Sequence, residues 1–275
     1  CIHRAHWFSK SSGPADLVVY LKGMALDLPT SRQRRRVLNL YRRILDEAET
    51  PGVQLNWHCG YDQEKEYVAE AAMKGFVTLQ TMFMPNLTIH GGVGDREKVH
   101  VQPRPKPEDC EAKQGGIYVS FYNSDGDAAS VVHGMQSGNW IAPDRGKFKF
   151  GWGFLPMAAK LMPAMMDYYH ETRTDNDCLF GPSSGAGYTY SRMWPKHLRD
   201  TYFDDTLKLL KQTGQNGCNM VNWFLQDWWR EAEDDEGVRR EQDRLKDLTG
   251  LVCGLGGSPF AKSYLDGPIP KVHCV

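Results

Sequence analysis

Cys178-Leu179-Phe180-Gly181-Pro182-Ser183-Ser184-Gly185-Ala186-Gly187-Tyr188-Thr189-Tyr190 reads as the end of a short apolar strand running into a glycine-rich loop. Glycine accepts positive φ and lets other atoms come close to the backbone. A loop of this kind directly after a strand is either a tight corner or a backbone cradle for a ligand. It is not a P-loop, because no Gly-Lys-Ser/Thr ends it. Tyr188 and Tyr190 are spaced i, i+2, so in an extended segment both rings point to one side. Two neighbouring phenols suit a sugar or another flat polar ligand.

Outward from this loop, apolar runs alternate with helical patterns. The runs at 17–21, 53–57, 76–81, 117–121, 147–152, 178–180, 218–223 and 251–254 read as eight strands. Apolar residues at helical spacing predict helices over 31–49, 62–74, 156–172 and 198–213, with a short one over 128–138. Dense mixed charge over 228–247 reads as a solvated helix face. Eight strands alternating with helices are the pattern of a TIM-like parallel (β/α)8 barrel. A seven-stranded variant and an open doubly wound sheet are the alternatives. The expected organisation is a lead-in or linker over 1–14, a barrel domain over 15–255 and an irregular C-terminal tail over 256–275. The Pro- and Gly-rich stretch 83–115 is an irregular insertion in the barrel.

The 275 residues are 41% hydrophobic and 24% charged, an ordinary globular composition. With a formal net charge of −1 no global field draws nucleic acid, and no nucleic-acid partner is expected. No apolar run approaches the roughly 20 residues that span a bilayer. The seven cysteines form no CxxC pair, which argues against a zinc ribbon or a thioredoxin-like motif. Cys178, Cys218 and Cys253 fall in expected strands and read as small buried apolar residues. Cys1, Cys110 and Cys274 lie in expected surface segments, where disulfides would form in a secreted protein. Asn86-Leu87-Thr88 is a glycosylation sequon, used only in a secretory pathway. The expected location is secreted or extracytoplasmic, and the start at Cys1 reads as a mature product or a fragment.

In such a barrel the chemistry sits at the C-terminal ends of the strands. Asp125 and Asp127 flank Gly126 at one of these ends. Carboxylates held close push one pKa upward, which suits acid/base work; no cofactor is expected, although the pair could hold a divalent cation. The plain alternative is a solvated Asp-Gly turn. Asp62 and Glu64 are candidates for the opposite carboxylate of a glycosidase pair, or simply favourable charges at a helix start. His58 is a candidate proton-transfer or ligand-binding group. Trp152 and Trp223 are candidate stacking platforms, and Ser183, Gly185, Gly187, Tyr188 and Tyr190 complete the expected substrate-binding set. A Ser-His-Asp reading is poorly supported, since Ser183 and Ser184 lack the GxSxG elbow.

Gly185-Ala186-Gly187-Tyr188-Thr189-Tyr190 resembles the signature of the GxGYxYP putative glycoside hydrolase family, in its C-terminal domain. Gly181-Pro182-Ser183 also resembles that family. So do Ser124-Asp125-Gly126-Asp127, similar to its SDGDN segment, and the region from Trp152 to Tyr169. The resemblance runs over roughly 15–225 with motif order preserved. It departs at Ser191, where the signature has Pro, and at Ala128, where the acidic segment continues with Asn. It implies a carbohydrate-active barrel domain that follows an additional N-terminal domain in the full-length protein, with carbohydrate as the partner. The expected function is a glycoside hydrolase. A glycan-binding or structural protein without catalysis, and a metal-dependent carbohydrate deacetylase, are the alternatives.

Overall fold

Short parallel strands carry the chain. The computed structural model describes residues 15–22, 34–56, 64–81, 84–106, 108, 111, 113–123, 128–221, 235–253 and 263–273. Among the described residues the strands are β1 (Gly52–Leu55), β2 (Phe76–Leu79), β3 (Tyr122–Asn123), β4 (Phe150–Gly153), β5 (Asp177–Phe180), β6 (Gly217–Asn219), β7 (Gly250–Cys253) and β8 (Lys271–His273). The helices are α1 (Ala15–Tyr20), α2 (Arg34–Glu47), α3 (Glu64–Met73), α4 (Leu87–Gly92), α5 (Gln136–Trp140), α6 (Ala158–Leu161), α7 (Pro163–Thr172), α8 (Arg199–Gln212) and α9 (Asp235–Arg244). The strands form three all-parallel sheets, β1-β2, β3-β4-β5 and β6-β7-β8. Single parallel bridges, Gln80 to Ala128 and Gly181 to Cys218, join one sheet to the next.

The expected (β/α)8 barrel, and its seven-stranded variant, are therefore corrected: among the described residues no ladder closes β8 onto β1. Three local causes are visible. The first expected strand, 17–21, is mostly helix α1. It buries Val18, while Val19 and Tyr20 are exposed, so its apolar run serves one helix face rather than a sheet. The expected strand at 117–121 pairs with no neighbour until Tyr122, and Ile117, Tyr118, Val119 and Phe121 lie exposed. The free edge of β2 is taken by the glycine loop instead of a long neighbouring strand. Thr78 N donates to Tyr188 O and Tyr188 N donates to Thr78 O, each at 2.9 Å, in an antiparallel bridge.

Other elements follow the sequence pattern more closely. β2 is buried along its whole length, as a parallel strand covered on both faces should be. Asn56, with φ 61°, ends β1; its Oδ1 accepts from Thr81 N at 2.6 Å and ties the ends of β1 and β2 together. The single helix expected at 156–172 is two, because Pro163 cannot continue α6 and instead opens α7. α8 buries Tyr202, Phe203, Thr206, Leu209 and Leu210 at helical spacing against the core around β6 and β7. A second core gathers Trp140, Trp152, Phe154, Tyr169 and Leu179 under β4 and β5. Cys218 and Cys253 are buried as expected, whereas Cys178 is exposed. β8 lies inside the stretch read as an irregular tail. No helix among the described residues is long and apolar enough to cross a membrane.

Two polar clusters brace this frame. Lys271 Nζ donates to Glu241 Oε2 at 2.6 Å with both side chains about as buried as any in the chain, 1% exposed. Glu241 Oε1 accepts from Ser191 Oγ at 3.3 Å, so the pair ties β8 and α9 to the end of the glycine-tyrosine run. Elsewhere His100 stacks on His170 with ring centroids 4.3 Å apart, and His170 Nε2 lies 2.9 Å from Thr213 O. Burial first, then the charge of His100, push the His170 imidazole down to about 4; the hydrogen bond to Thr213 opposes this, and Arg173 and Asp167 contribute less, in opposite directions.

Two outcomes are expected. Removing one member of a buried ion pair leaves an uncompensated charge, so Glu241→Gln should cost about 3–5 kcal/mol in urea unfolding, whereas Glu241→Leu with Lys271→Met should cost far less. A histidine whose pKa falls on folding binds its proton more readily in the unfolded chain. Stability carried by His170 is therefore complete above about pH 6.5 and is lost as pH falls toward about 4. Thermal melts across that window should show this decline, and His170→Gln should flatten it.

Candidate active site at the strand ends

In open parallel sheets ligands bind beyond the carboxyl ends of the strands. Polar residues close several strands of this chain. Asn56 follows β1, Gln80 follows β2, Asn123 ends β3, Asn219 ends β6 and His273 ends β8. Asn56 and Asn219 are buried, and Gln80 Oε1 accepts from Ser130 Oγ at 2.7 Å. Sequence reading did not single out these amides. The signal available was the polar residue closing each apolar run, which is legible only once the run is known to be a strand.

The glycine loop is a packed corner. Ser184 N donates to Asn219 O at 2.7 Å, Gly185 N to Pro182 O at 3.2 Å and Ala186 N to Thr206 Oγ1 at 3.3 Å. These three amides are engaged inside the protein. Tyr202 Oη donates to Ser184 O at 2.6 Å, and the Ser184 hydroxyl donates to Val221 O at 3.2 Å. Gly185 has φ +68°, and a Cβ there would sit 2.3 Å from Thr206 Cγ2. A Cβ on Gly187 would meet Leu79 Cδ2 at 2.8 Å and Thr78 O at 3.2 Å. Ser183 is buried within the same corner.

The corner holds the tyrosines, Tyr190 buried in the core and Tyr188 partly buried against it. Extended backbone puts both rings on one side, and their hydroxyls lie 3.1 Å apart. The rings meet edge to face with centroids 5.8 Å apart. Burial pushes the Tyr190 hydroxyl up to about 12, the hydrogen bond with Tyr188 lowers it, and the charge of Glu64 raises it. Tyr190 therefore stays a neutral phenol, and Glu64, at the first turn of α3, lies within electrostatic reach of it. Tyr188 and Tyr190 thus meet, with a carboxylate from a distant part of the sequence exerting its charge on Tyr190.

The remaining candidates fall elsewhere. Trp152 is 6% exposed; its Nε1 donates to Asp177 Oδ1 at 2.9 Å and its ring packs on Phe150 and Trp140. Asp62, Asp125, Asp127, His58 and Trp223 lie outside the described residues. The chain on either side of Asp125 and Asp127 is described: Asn123 ends β3, and Ala128 bridges Gln80 at the end of β2. Among the described residues no group of three His, Cys, Asp or Glu side chains is arranged to hold a metal. A cleft of about 290 Å³ opens at the other end of the sheet, beside Pro51 and Gly52 at the start of β1.

The corner yields a direct test. Gly185→Ala should cost about 2–5 kcal/mol, from positive φ and from overpacking against Thr206. Thr206→Ser, which removes Cγ2, should recover part of that loss in the double variant, measured by denaturant unfolding.

The comparisons with known proteins bear on the fold and on the stretch that holds the glycine-tyrosine run. No curated protein matches the chain. A solved structure described as a "putative hydrolase from Bacteroides thetaiotaomicron VPI-5482" superposes with a TM-score of 0.84 at 19% identity. The alignment covers 98% of this chain and 51% of that one, so this chain spans about half of that protein and shares its fold there. Residues 115–236, which contain the acidic segment, the Trp152 region and the glycine-tyrosine run, match the family model described as "GxGYxYP putative glycoside hydrolase C-terminal domain".

Proposed function

We propose that this chain is the carbohydrate-active domain of a glycoside hydrolase. The observation that carries the reading is the Tyr188–Tyr190 hydroxyl pair, held by the glycine corner with Glu64 acting on it. Neutral phenols and amides are the groups that exchange hydrogen bonds with sugar hydroxyls without demanding charge on the ligand. The family description of residues 115–236 and the hydrolase description of the similar structure support it.

Glycoside hydrolysis needs one carboxylic acid to protonate the leaving oxygen and a second carboxylate to act as nucleophile or to activate water. In the proposal Asp125 and Asp127 supply one of these groups and Glu64 or Asp62 supplies the other. A carboxyl separation of about 5–5.5 Å would retain configuration at the anomeric carbon, and about 6.5–9.5 Å would invert it. Tyr188, which is only partly buried, contacts the sugar, and the buried Tyr190 holds the Tyr188 hydroxyl in place. Trp152 has no part, because its indole is committed to Asp177.

Release of 4-nitrophenolate from a panel of 4-nitrophenyl α- and β-hexosides tests the reading. The wild-type protein should turn over at least one of them. Asp125→Asn should lower that turnover at least about 100-fold with an unchanged melting temperature. Unchanged turnover removes Asp125 from the mechanism. Chelator-sensitive release of acetate from acetylated oligosaccharides, without 4-nitrophenolate release from the hexosides, would favour metal-dependent deacetylation and a cation at Asp125 and Asp127.

A further inference from the structure

One edge of β2 carries two partners in succession. Thr78 pairs antiparallel with Tyr188, and Gln80, directly after the strand, pairs in parallel with Ala128. Ala129 N donates to Gln80 O at 2.8 Å. Two residues of extended chain separate the bridges, a rise of about 7 Å. Tyr188 and Ala128, the residue directly after Asp127, are thus held side by side along this edge.

The side chain of Gln80 projects to the Tyr188 side of the sheet. Residues opposed across a bridge project to one face, and faces alternate along a strand. Thr78, Gln80 and Tyr188 therefore share a face. Gly187 has the opposite parity, and a Cβ there would meet Val77 Cβ at 3.1 Å and Leu79 Cδ2 at 2.8 Å, on the other face. Gln80 and Tyr188 are diagonal neighbours. Such pairs lie about 7–8 Å apart, a span that long and aromatic side chains bridge.

The Gln80 amide is anchored by one atom. Oε1 accepts from Ser130 Oγ at 2.7 Å, and Ser130 belongs to the segment that follows Asp127. Among the described residues nothing accepts from Nε2, and the residue is half-buried. Ordering a glutamine side chain costs up to about 2 kcal/mol of rotamer freedom, and an amide that only meets solvent gains nothing from being so held. With its oxygen committed, the amide offers two N–H donors and no free carbonyl. The oxygens of a sugar ring and its hydroxyls accept from such donors.

We propose that Gln80 is a ligand-contacting residue of this site, donating from Nε2 to a sugar oxygen between Tyr188 and the acidic segment. The inference rests on the carbohydrate reading above. It adds a residue that lies outside the stretch 115–236 matching the family model, and it gives Ser130 the role of positioning the amide.

The test uses the full chain and a panel of cello-, xylo-, manno- and chito-oligosaccharides, with affinity measured by calorimetry. Gln80→Leu and Gln80→Ala should each bind the best oligosaccharide about 10-fold more weakly than wild type, the worth of one hydrogen bond. Their melting temperatures should stay near wild type, because the backbone bond to Ala129 survives. Ser130→Ala, which frees the amide to rotate, should lose less. Deoxy and ring-carba analogues of the best sugar identify the contact: the one lacking the contacted oxygen should weaken wild type and bind Gln80→Leu no more weakly than the parent sugar does. Wild-type affinity in both Gln80 variants overturns this inference alone. So does an affinity loss in those variants to which every analogue adds its full penalty, since Gln80 would then act only through the fold. Failure of wild type to bind any member of the panel overturns the carbohydrate reading and this inference with it.

Discussion

Two backbone hydrogen bonds between Thr78 and Tyr188 set much of this architecture. They place the end of the glycine run against the edge of β2, where a neighbouring parallel strand would otherwise pair. That approach requires a segment with no side chain at its closest point, and Gly187 provides it between Leu79 and Thr78. Gly185 makes the preceding turn possible beneath Thr206. The same two bonds interrupt the sheet and fix the tyrosines, so the fold and the candidate site have one cause.

The site is then assembled by long-range packing. Thr189 Oγ1 donates to Phe76 O at 3.2 Å and accepts from Trp194 Nε1 at 2.8 Å, which locks the residue between the two tyrosines. Ser191 continues the chain into the buried carboxylate of Glu241. A rigid backing of this kind keeps aromatic and phenolic groups in one orientation, so that less entropy is lost when a ligand is bound. The departure from the family signature at Ser191 fits this setting, since its hydroxyl makes a contact that proline could not.

Much of the local structure is legible in the sequence. The apolar runs locate β1, β2 and β4 to β7, and the i, i+2 spacing of Tyr188 and Tyr190 gives their common side. Residues 17–21 mislead because a five-residue apolar run has no period long enough to separate strand from helix. β8 is missed because a strand of three residues after Pro270 carries too little pattern, and the pairing that defines it comes from β7. Sheet closure is a property of distant edges, and no local window records that Tyr188 will take the edge of β2. Trp152 shows the same limit at the site: its place at a strand end is correct, but only the fold shows its indole reaching back to Asp177.

The uncovered stretch before β3 bears on how the protein behaves at high concentration. Ile117, Tyr118, Val119 and Phe121 are rich in strand formers, carry no charge or proline among them, and sit in the open beside Phe148. Segments of this composition template intermolecular strand addition. Lys147 is paired with Asp144, but Lys149 stands exposed directly after Phe148, and Lys113 precedes the stretch. Their like charges repel an approaching copy, which is how gatekeeper residues protect an apolar segment that must remain exposed. Because that protection is electrostatic, added salt weakens it, and self-association becomes a question of ionic strength as much as of concentration.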